Sequence, residues 1–280
     1  TAGMLRREKT RMRTALTIAG SDSSGGAGIQ ADIKTMMANG VFAMSAITAL
    51  TAQNTTGVEA ILNATPEFLG QELDCIFTDI YPDAVKIGMI SERIIVQVIA
   101  ACLRKYNPKY VVYDPVMVST SGKRLMEEDA IEEIKKELFP LVSLITPNLD
   151  EAEVLAGKRI DSFEMMKLTS QQLSESYGTS VLLKGGHLQG DKMLDVLYTD
   201  GNIHIYNEKR IVSRNLHGTG CTLSSAIAAY LALGEPMDKA VSKAKIYLSG
   251  AIEHGKDVNI GSGNGPLCHF WESSKAVILT

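Results

Sequence analysis

No apolar run in this sequence approaches the ~18–20 residues that a membrane-spanning helix needs. A transmembrane segment is therefore not expected. Nor does basic charge gather anywhere. Lys and Arg total 28 against 32 Asp and Glu, for a net charge of −4. Without a basic stripe, nucleic acid is an unsuitable partner. Cysteine is sparse, and its four positions (75, 102, 221 and 268) form no CxxC pair. That removes zinc-ribbon and thioredoxin-like readings, and it leaves no disulfide framework. A reducing cytoplasm is the expected compartment. Aromatic residues make up only 6% of the chain, with a single tryptophan, Trp271. Its HFW block reads as packing of the tail. His254 and His269 stand apart from any metal-ligand set.

Two familiar phosphate loops are missing as well. There is no G-x-G-x-x-G after a strand and no G-K-[ST]. A basic cluster, Arg6 to Arg13, precedes only the short apolar run ALTIAG, too little for a secretory leader. Thr1-Ala2-Gly3 ahead of Met4 reads as an expression scar. Residues 1–13 are expected to be a flexible segment, and 14–280 one domain.

What is present is alternation. Short β-rich runs take turns with helical stretches: 14–20, helix 27–38, 45–53, helix 66–80, 84–90, helix 91–105, 110–117 and helix 127–138. The pattern continues with 143–148, helices 149–156 and 163–177, strand 180–186, a pair of strands in 194–207, and helices 219–233 and 237–254. Asp200-Gly201 marks the pair as a hairpin with a two-residue turn. Apolar strands separated by helices predict a parallel sheet buried on both faces. Ligands on such sheets bind beyond the carboxyl ends of the strands. The polar punctuation falls there: GSDSSGG, QN, GM, DP, TPN and KGG.

Each of these motifs carries a structural reading beside a chemical one. GSDSSGGAGIQAD (20–32) is either a tight strand-to-helix turn or a loop whose backbone approaches a small ligand. Asp32 is either solvated or bonded to that ligand. Gln53 in TAQN caps a turn, or pairs with a heterocycle carrying both donors and acceptors. Asn148 and Glu151 fit a capping box fully, and would also suit a hydrated Mg2+. Lys184 in KGGH is a solvated lysine or a phosphate ligand. HGTGC (217–221) sets Gly218, Thr219 and Gly220 as an anion nest at a helix start. Cys221 follows in the first turn, where a helix terminus draws a thiol pKa down to roughly 3.5–7.5. A small buried cysteine is its structural reading.

Taken in order, LTIAGSDSSGGAGIQADIKT, ITALTAQNT, KIGM, VVYDPVM, LITPNLDEAEVL, LLKGGH and NLHGTGCTLSSAIAA resemble one group of enzymes. It is the hydroxymethylpyrimidine (phosphate) kinase branch of the ribokinase-like superfamily. The resemblance covers about residues 14–266. It implies a three-layer α/β/α sandwich around a mostly parallel sheet, with no separate lid domain. It implies phosphorylation of 4-amino-5-hydroxymethyl-2-methylpyrimidine and then of its monophosphate, with ATP and Mg2+, in thiamine biosynthesis. A pyridoxal or pyridoxine kinase of the same branch is the alternative, and a homodimer is the common assembly. By this resemblance Gly20, Ala27, Asp32, Gln53, Met89 and Val116 line the substrate pocket. Lys184, Thr219, Asn148 and Glu151 serve the nucleotide, and Asp114 and Glu151 hold Mg2+ largely through water. Gly218 and Gly220 form the anion hole with Lys184, and Cys221 is the catalytic base.

Overall fold

The computed structural model describes residues 11–119, 121–186, 188, 192–275 and 278–279. A short strand β1 (Arg11–Met12) leads into β2 (Thr14–Asp22), helix α1 (Gly28–Ala38) and β3 (Phe42–Asn54). Next come β4 (Gly57–Asn63), α2 (Pro66–Asp79), β5 (Ala84–Ile87), α3 (Arg93–Tyr106) and β6 (Val111–Tyr113). Helix α4 (Glu128–Glu133) runs on into a π-helical turn over Ile134–Leu138. The rest is β7 (Leu144–Ile145), α5 (Leu149–Ala156), α6 (Phe163–Tyr177), β8 (Ser180–Lys184), β9 (Lys192–Thr199) and β10 (Asn202–Lys209). Two long helices, α7 (Thr219–Ala232) and α8 (Met237–Gly255), precede a last short strand, β11 (Ile278–Leu279).

Nine strands form one sheet in the order β10-β9-β8-β7-β6-β5-β2-β3-β4. The six from β8 to β3 run parallel, and antiparallel strands flank them on both sides. Alternate residues of each parallel strand go to opposite cores. Leu16, Ile18, Val85, Ile87, Val111, Tyr113, Ile145, Val181 and Leu183 pack with α2 to α6. Ala15, Ala84, Val112, Leu144 and Leu182 pack with α1, α7 and α8. Burial on both faces is why these strands read as unbroken apolar runs. The expected α/β/α sandwich is the architecture found.

Three details differ from the sequence reading. First, β4 was not foreseen. It is an edge strand with mixed exposure, so its GVEAILN lacks a clean alternation. Second, Arg11 and Met12 do not belong to a free segment: they pair antiparallel with β11, and Arg11 and Arg13 both reach Asp83. Third, the helix expected at 127–138 is α-helical only to Glu133. The hairpin is as expected. Asp200 (φ 49°) and Gly201 (φ 75°) are both left-handed, which a type I′ turn requires. His187 of KGGH lies outside the described residues.

Candidate active site

A cavity of about 430 Å³ opens at the carboxyl ends of the parallel strands. Gly20, Ala27, Gln53, Met89, Val116, Asp114, Asn148, Glu151, Lys184 and residues 218–221 all line it. One cavity thus gathers every predicted site residue except one.

The exception is Asp32. It lies on α1 with no exposed surface, beneath the cavity rather than in its wall. Lys86 on β5 donates to both its oxygens, at 2.9 and 2.8 Å, and is itself fully buried. Thr17 (2.6 Å) and Ser225 (2.5 Å) also donate to it. Asp32 is therefore neither solvated nor a ligand-binding group; its lone pairs are taken up by the protein. Lys86 does line the cavity. Sequence reading missed it, yet a signal existed: a lysine inside the buried four-residue strand AVKI breaks the apolar pattern.

The first loop is organised by a second residue that was overlooked. Asp22 accepts from Ser24 N (2.8 Å), Ser24 Oγ (2.6 Å), Gly26 N (3.1 Å) and Ala27 N (2.9 Å). His217 Nε2 lies 2.8 Å from its Oδ2. Burial pushes this carboxyl up, but those hydrogen bonds outweigh it and hold it at about 2. The loop before α1 is thereby clamped to the turn before α7. Gln53 joins the clamp. Its Oε1 accepts from Thr51 Oγ1 at 3.0 Å, and its Nε2 lies 3.4 Å from His217 Nε2. Met89, Leu125 and Ala49, with Ile61 and Val116, form a small apolar cluster beside it. A flat heterocycle would find a polar edge and an apolar wall here.

The charged part is assembled from four strand and helix ends. Asn148 caps α5: its Oδ1 accepts from Glu151 N at 2.8 Å, and Glu151 Oε1 accepts from Asn148 N at 2.9 Å. The capping box is real, and the same Glu151 also lines the cavity. Burial pushes the Glu151 carboxyl up to about 7; Lys184 opposes this and Asp114 adds to it. Lys184 Nζ is 3.5 Å from Asp114 Oδ1, which also accepts from Thr146 Oγ1 at 3.2 Å. A Cβ on Gly220 would sit 3.1 Å from Asp114 Oδ2 and 3.5 Å from Lys184 Nζ. The Asp114 carboxylate, the Lys184 ammonium and the start of α7 are therefore neighbours, with no room between them for a larger side chain at 220 without a shift.

Gly218 caps α7 with φ +84°, and a Cβ there would come within 1.9 Å of the Gly26 carbonyl. Only glycine fits. Thr219 N donates back to Leu216 O at 3.2 Å, and Gly220 and Cys221, which start the helix after it, line the cavity. An anion is the suitable ligand. Cys221 departs from expectation. Burial pushes its thiol up to about 11. Lys86 and the Gly28 N–H pull the other way, while Asp32 and Asp114 add to the rise. Burial thus outweighs Lys86 and the Gly28 N–H, and the thiol is held above its ordinary value rather than below it.

A fold of this kind, with a helix start, a lysine and two carboxylates meeting at one sheet edge, fits a phosphotransferase. The sequence model of the phosphomethylpyrimidine kinase family matches residues 22–268, and the chain belongs to that family. It is 47% identical to the hydroxymethylpyrimidine/phosphomethylpyrimidine kinase of Rhizobium meliloti, over 91% of this chain and 96% of the relative. It is 46% identical to the thiamine biosynthesis bifunctional protein ThiED of Geobacter sulfurreducens, over 91% of this chain but only 52% of that longer protein. Among solved structures, phosphomethylpyrimidine kinase (thiD) of Clostridium difficile superposes with a TM-score of 0.77 at 46% identity, covering 86% of this chain and 99% of that one. An ADP complex of Bacillus subtilis pyridoxal kinase superposes with a TM-score of 0.85 at 33% identity, covering 92% and 98%.

Proposed function

We propose that this chain transfers the γ-phosphoryl of ATP to the hydroxymethyl group of 4-amino-5-hydroxymethyl-2-methylpyrimidine, and then to the monophosphate so formed. The observation that carries the reading is the shared cavity: Gln53 and Cys221 line the same space. An amide beside an apolar wall suits an aminopyrimidine. The nest and Lys184 suit a polyphosphate, and the carboxylates suit the Mg2+ that would accompany it. The Rhizobium relative's name supports this acceptor.

Phosphoryl transfer passes through a loose transition state, so positioning and charge stabilisation carry most of the catalysis. Gly218, Gly220 and the first-turn amides of α7 receive the charge that builds on the equatorial oxygens. Lys184 adds a point charge. Gln53 fixes the pyrimidine so that its CH2–OH faces the nest. Cys221 accepts the hydroxyl proton late in the reaction. Its thiolate is a strong base present as a small fraction at neutral pH.

Among the described residues no three His, Cys, Asp or Glu side chains form a metal cage. Mg2+ does not need one. It binds through one or two carboxylates plus substrate phosphates and water, and Asp114 and Glu151 provide that pair. When bound, Mg2+ neutralises charge on the phosphates. Compartment and assembly follow the same reading: a cytoplasmic enzyme working as a homodimer. Leu50 (49% exposed) and Leu62 (68% exposed) pair across β3 and β4 and suit a subunit contact.

The test is direct. Purified protein with ATP and Mg2+ is offered hydroxymethylpyrimidine, its monophosphate and pyridoxal in parallel. Turnover of the first two with higher kcat/KM than pyridoxal is expected. Pyridoxal as the best acceptor would overturn the reading in favour of the pyridoxal kinase that the Bacillus superposition suggests.

A further inference from the structure

Lys184, the last residue of β8, stands opposite Asp195 in antiparallel register on β9. Directly opposed residues project to the same face of a sheet. Lys184 therefore has carboxylates on both sides, Asp114 and Glu151 towards the cavity and Asp195 on the neighbouring strand. Asp114 is in the cavity, 3.5 Å from its Nζ, and Asp195 lies outside the cavity lining. A lysine stem is flexible, and its ammonium goes to whichever anion is free.

Asp195 is not free. Its Oδ1 accepts from Gly185 N at 3.0 Å, and its Oδ2 accepts from Lys245 Nζ at 2.6 Å. Both partners of that ion pair are buried, and Lys245 also lies 3.3 Å from Glu208 Oε2. The turn it holds is tight. A Cβ on Gly185 would stand 2.0 Å from the Leu194 carbonyl. Stability alone does not call for this arrangement, because well-packed apolar residues commonly replace buried ion pairs without loss. Helix α8 contributes no residue to the cavity, yet it delivers a cation to the strand end that carries Lys184.

We infer that Lys245 is a positioning residue for phosphoryl transfer: by occupying Asp195 and holding the Gly185 turn, it leaves the Lys184 ammonium to the cavity. This rests on Lys184 serving the nucleotide phosphates. Without Lys245, Asp195 competes for Lys184, and ATP loses its cation.

Steady-state kinetics on Lys184→Met, Lys245→Met, Lys245→Gln and the double variant Lys245→Met/Asp195→Asn test this, with thermal melting to confirm folding. Lys184→Met is expected to raise KM for ATP by roughly 10–100-fold, the value of one charge-assisted hydrogen bond. Lys245→Met is expected to raise it about tenfold while KM for the pyrimidine stays within about twofold. Lys245→Gln keeps a donor for Asp195 but no charge, and is expected to do the same; it remains informative if the Met variant does not fold. The double variant removes the competing carboxylate and is expected to restore KM for ATP. An unchanged KM for ATP in a folded Lys245 variant overturns the inference, as does a double variant that folds but stays impaired. If Lys184→Met leaves KM for ATP unchanged, the underlying reading of Lys184 falls, and the inference with it.

Discussion

Lys86 donates to both carboxylate oxygens of Asp32, at 2.9 and 2.8 Å, with neither side chain exposed to solvent. Burial by itself would lower the ammonium's pKa, but the Asp32 carboxylate above all, with Asp114 beside it, outweighs that and holds it above its ordinary value. A raised lysine contributes stability in full below its unfolded pKa near 10.4, and loses it only as pH climbs through the folded value. Removing one partner leaves an uncompensated buried charge. Lys86→Met or Asp32→Asn alone is expected to cost about 3–5 kcal/mol in urea unfolding at pH 7. The double variant should cost clearly less than the sum of the two. Strict additivity would show that the pair is not coupled.

Cys221 bears on catalysis. Replacement by Ser or Ala is expected to lower kcat by about 10²-fold, the low end for general base help, with KM for both substrates little changed. With the thiol pushed up to about 11, the thiolate fraction still grows with pH through the alkaline range. In the wild type, kcat should therefore rise between about pH 7 and pH 10, and Cys221→Ser should lose that slope. Near-full kcat in Cys221→Ala would reduce the thiol to packing.

Gln53 bears on acceptor choice. Gln53→Met keeps side-chain volume and removes both polar atoms of the amide. KM for the pyrimidine is expected to rise about 10-fold or more, with KM for ATP within about twofold. Equal losses for both ligands would point to a damaged pocket instead.

Glu151 offers a readout without ligands. Its carboxyl is raised from 4.5 to about 7, so the folded protein holds that proton more tightly than the unfolded chain. Above pH 7 the buried charge works against folding, and the cost disappears as pH falls towards the unfolded value. Glu151→Gln retains a side chain able to complete the capping box. It is expected to be more stable than wild type by about 3 kcal/mol at pH 8, shrinking to under about 1 kcal/mol at pH 5. Urea unfolding at the two pH values checks this. A constant difference would mean that Glu151 does not titrate as described.

The cavity residues that could be read from the chain sit at strand or helix ends, next to glycines or polar breaks in apolar runs. Gln53, Lys184 and Gly218 all show themselves this way. The hairpin was legible from Asp200-Gly201 alone, since two consecutive left-handed residues need that chemistry. Strand β4 was not, because an edge strand owes its pairing to its neighbour rather than to its own pattern. Asp22 and His217 lie 195 residues apart, and no local spacing announces their contact.

The sequence by itself determined the alternation of strands and helices, and hence the sandwich, because a strand buried on both faces must be apolar throughout. It also determined where the backbone could turn tightly enough to receive an anion. Charge states were decided only by tertiary structure. Asp32 became the buried partner of Lys86, and burial beside particular partners pushed the Cys221 thiol and the Glu151 carboxyl up. Desolvation and pairing depend on distances across the fold, and those distances are not local properties of the chain.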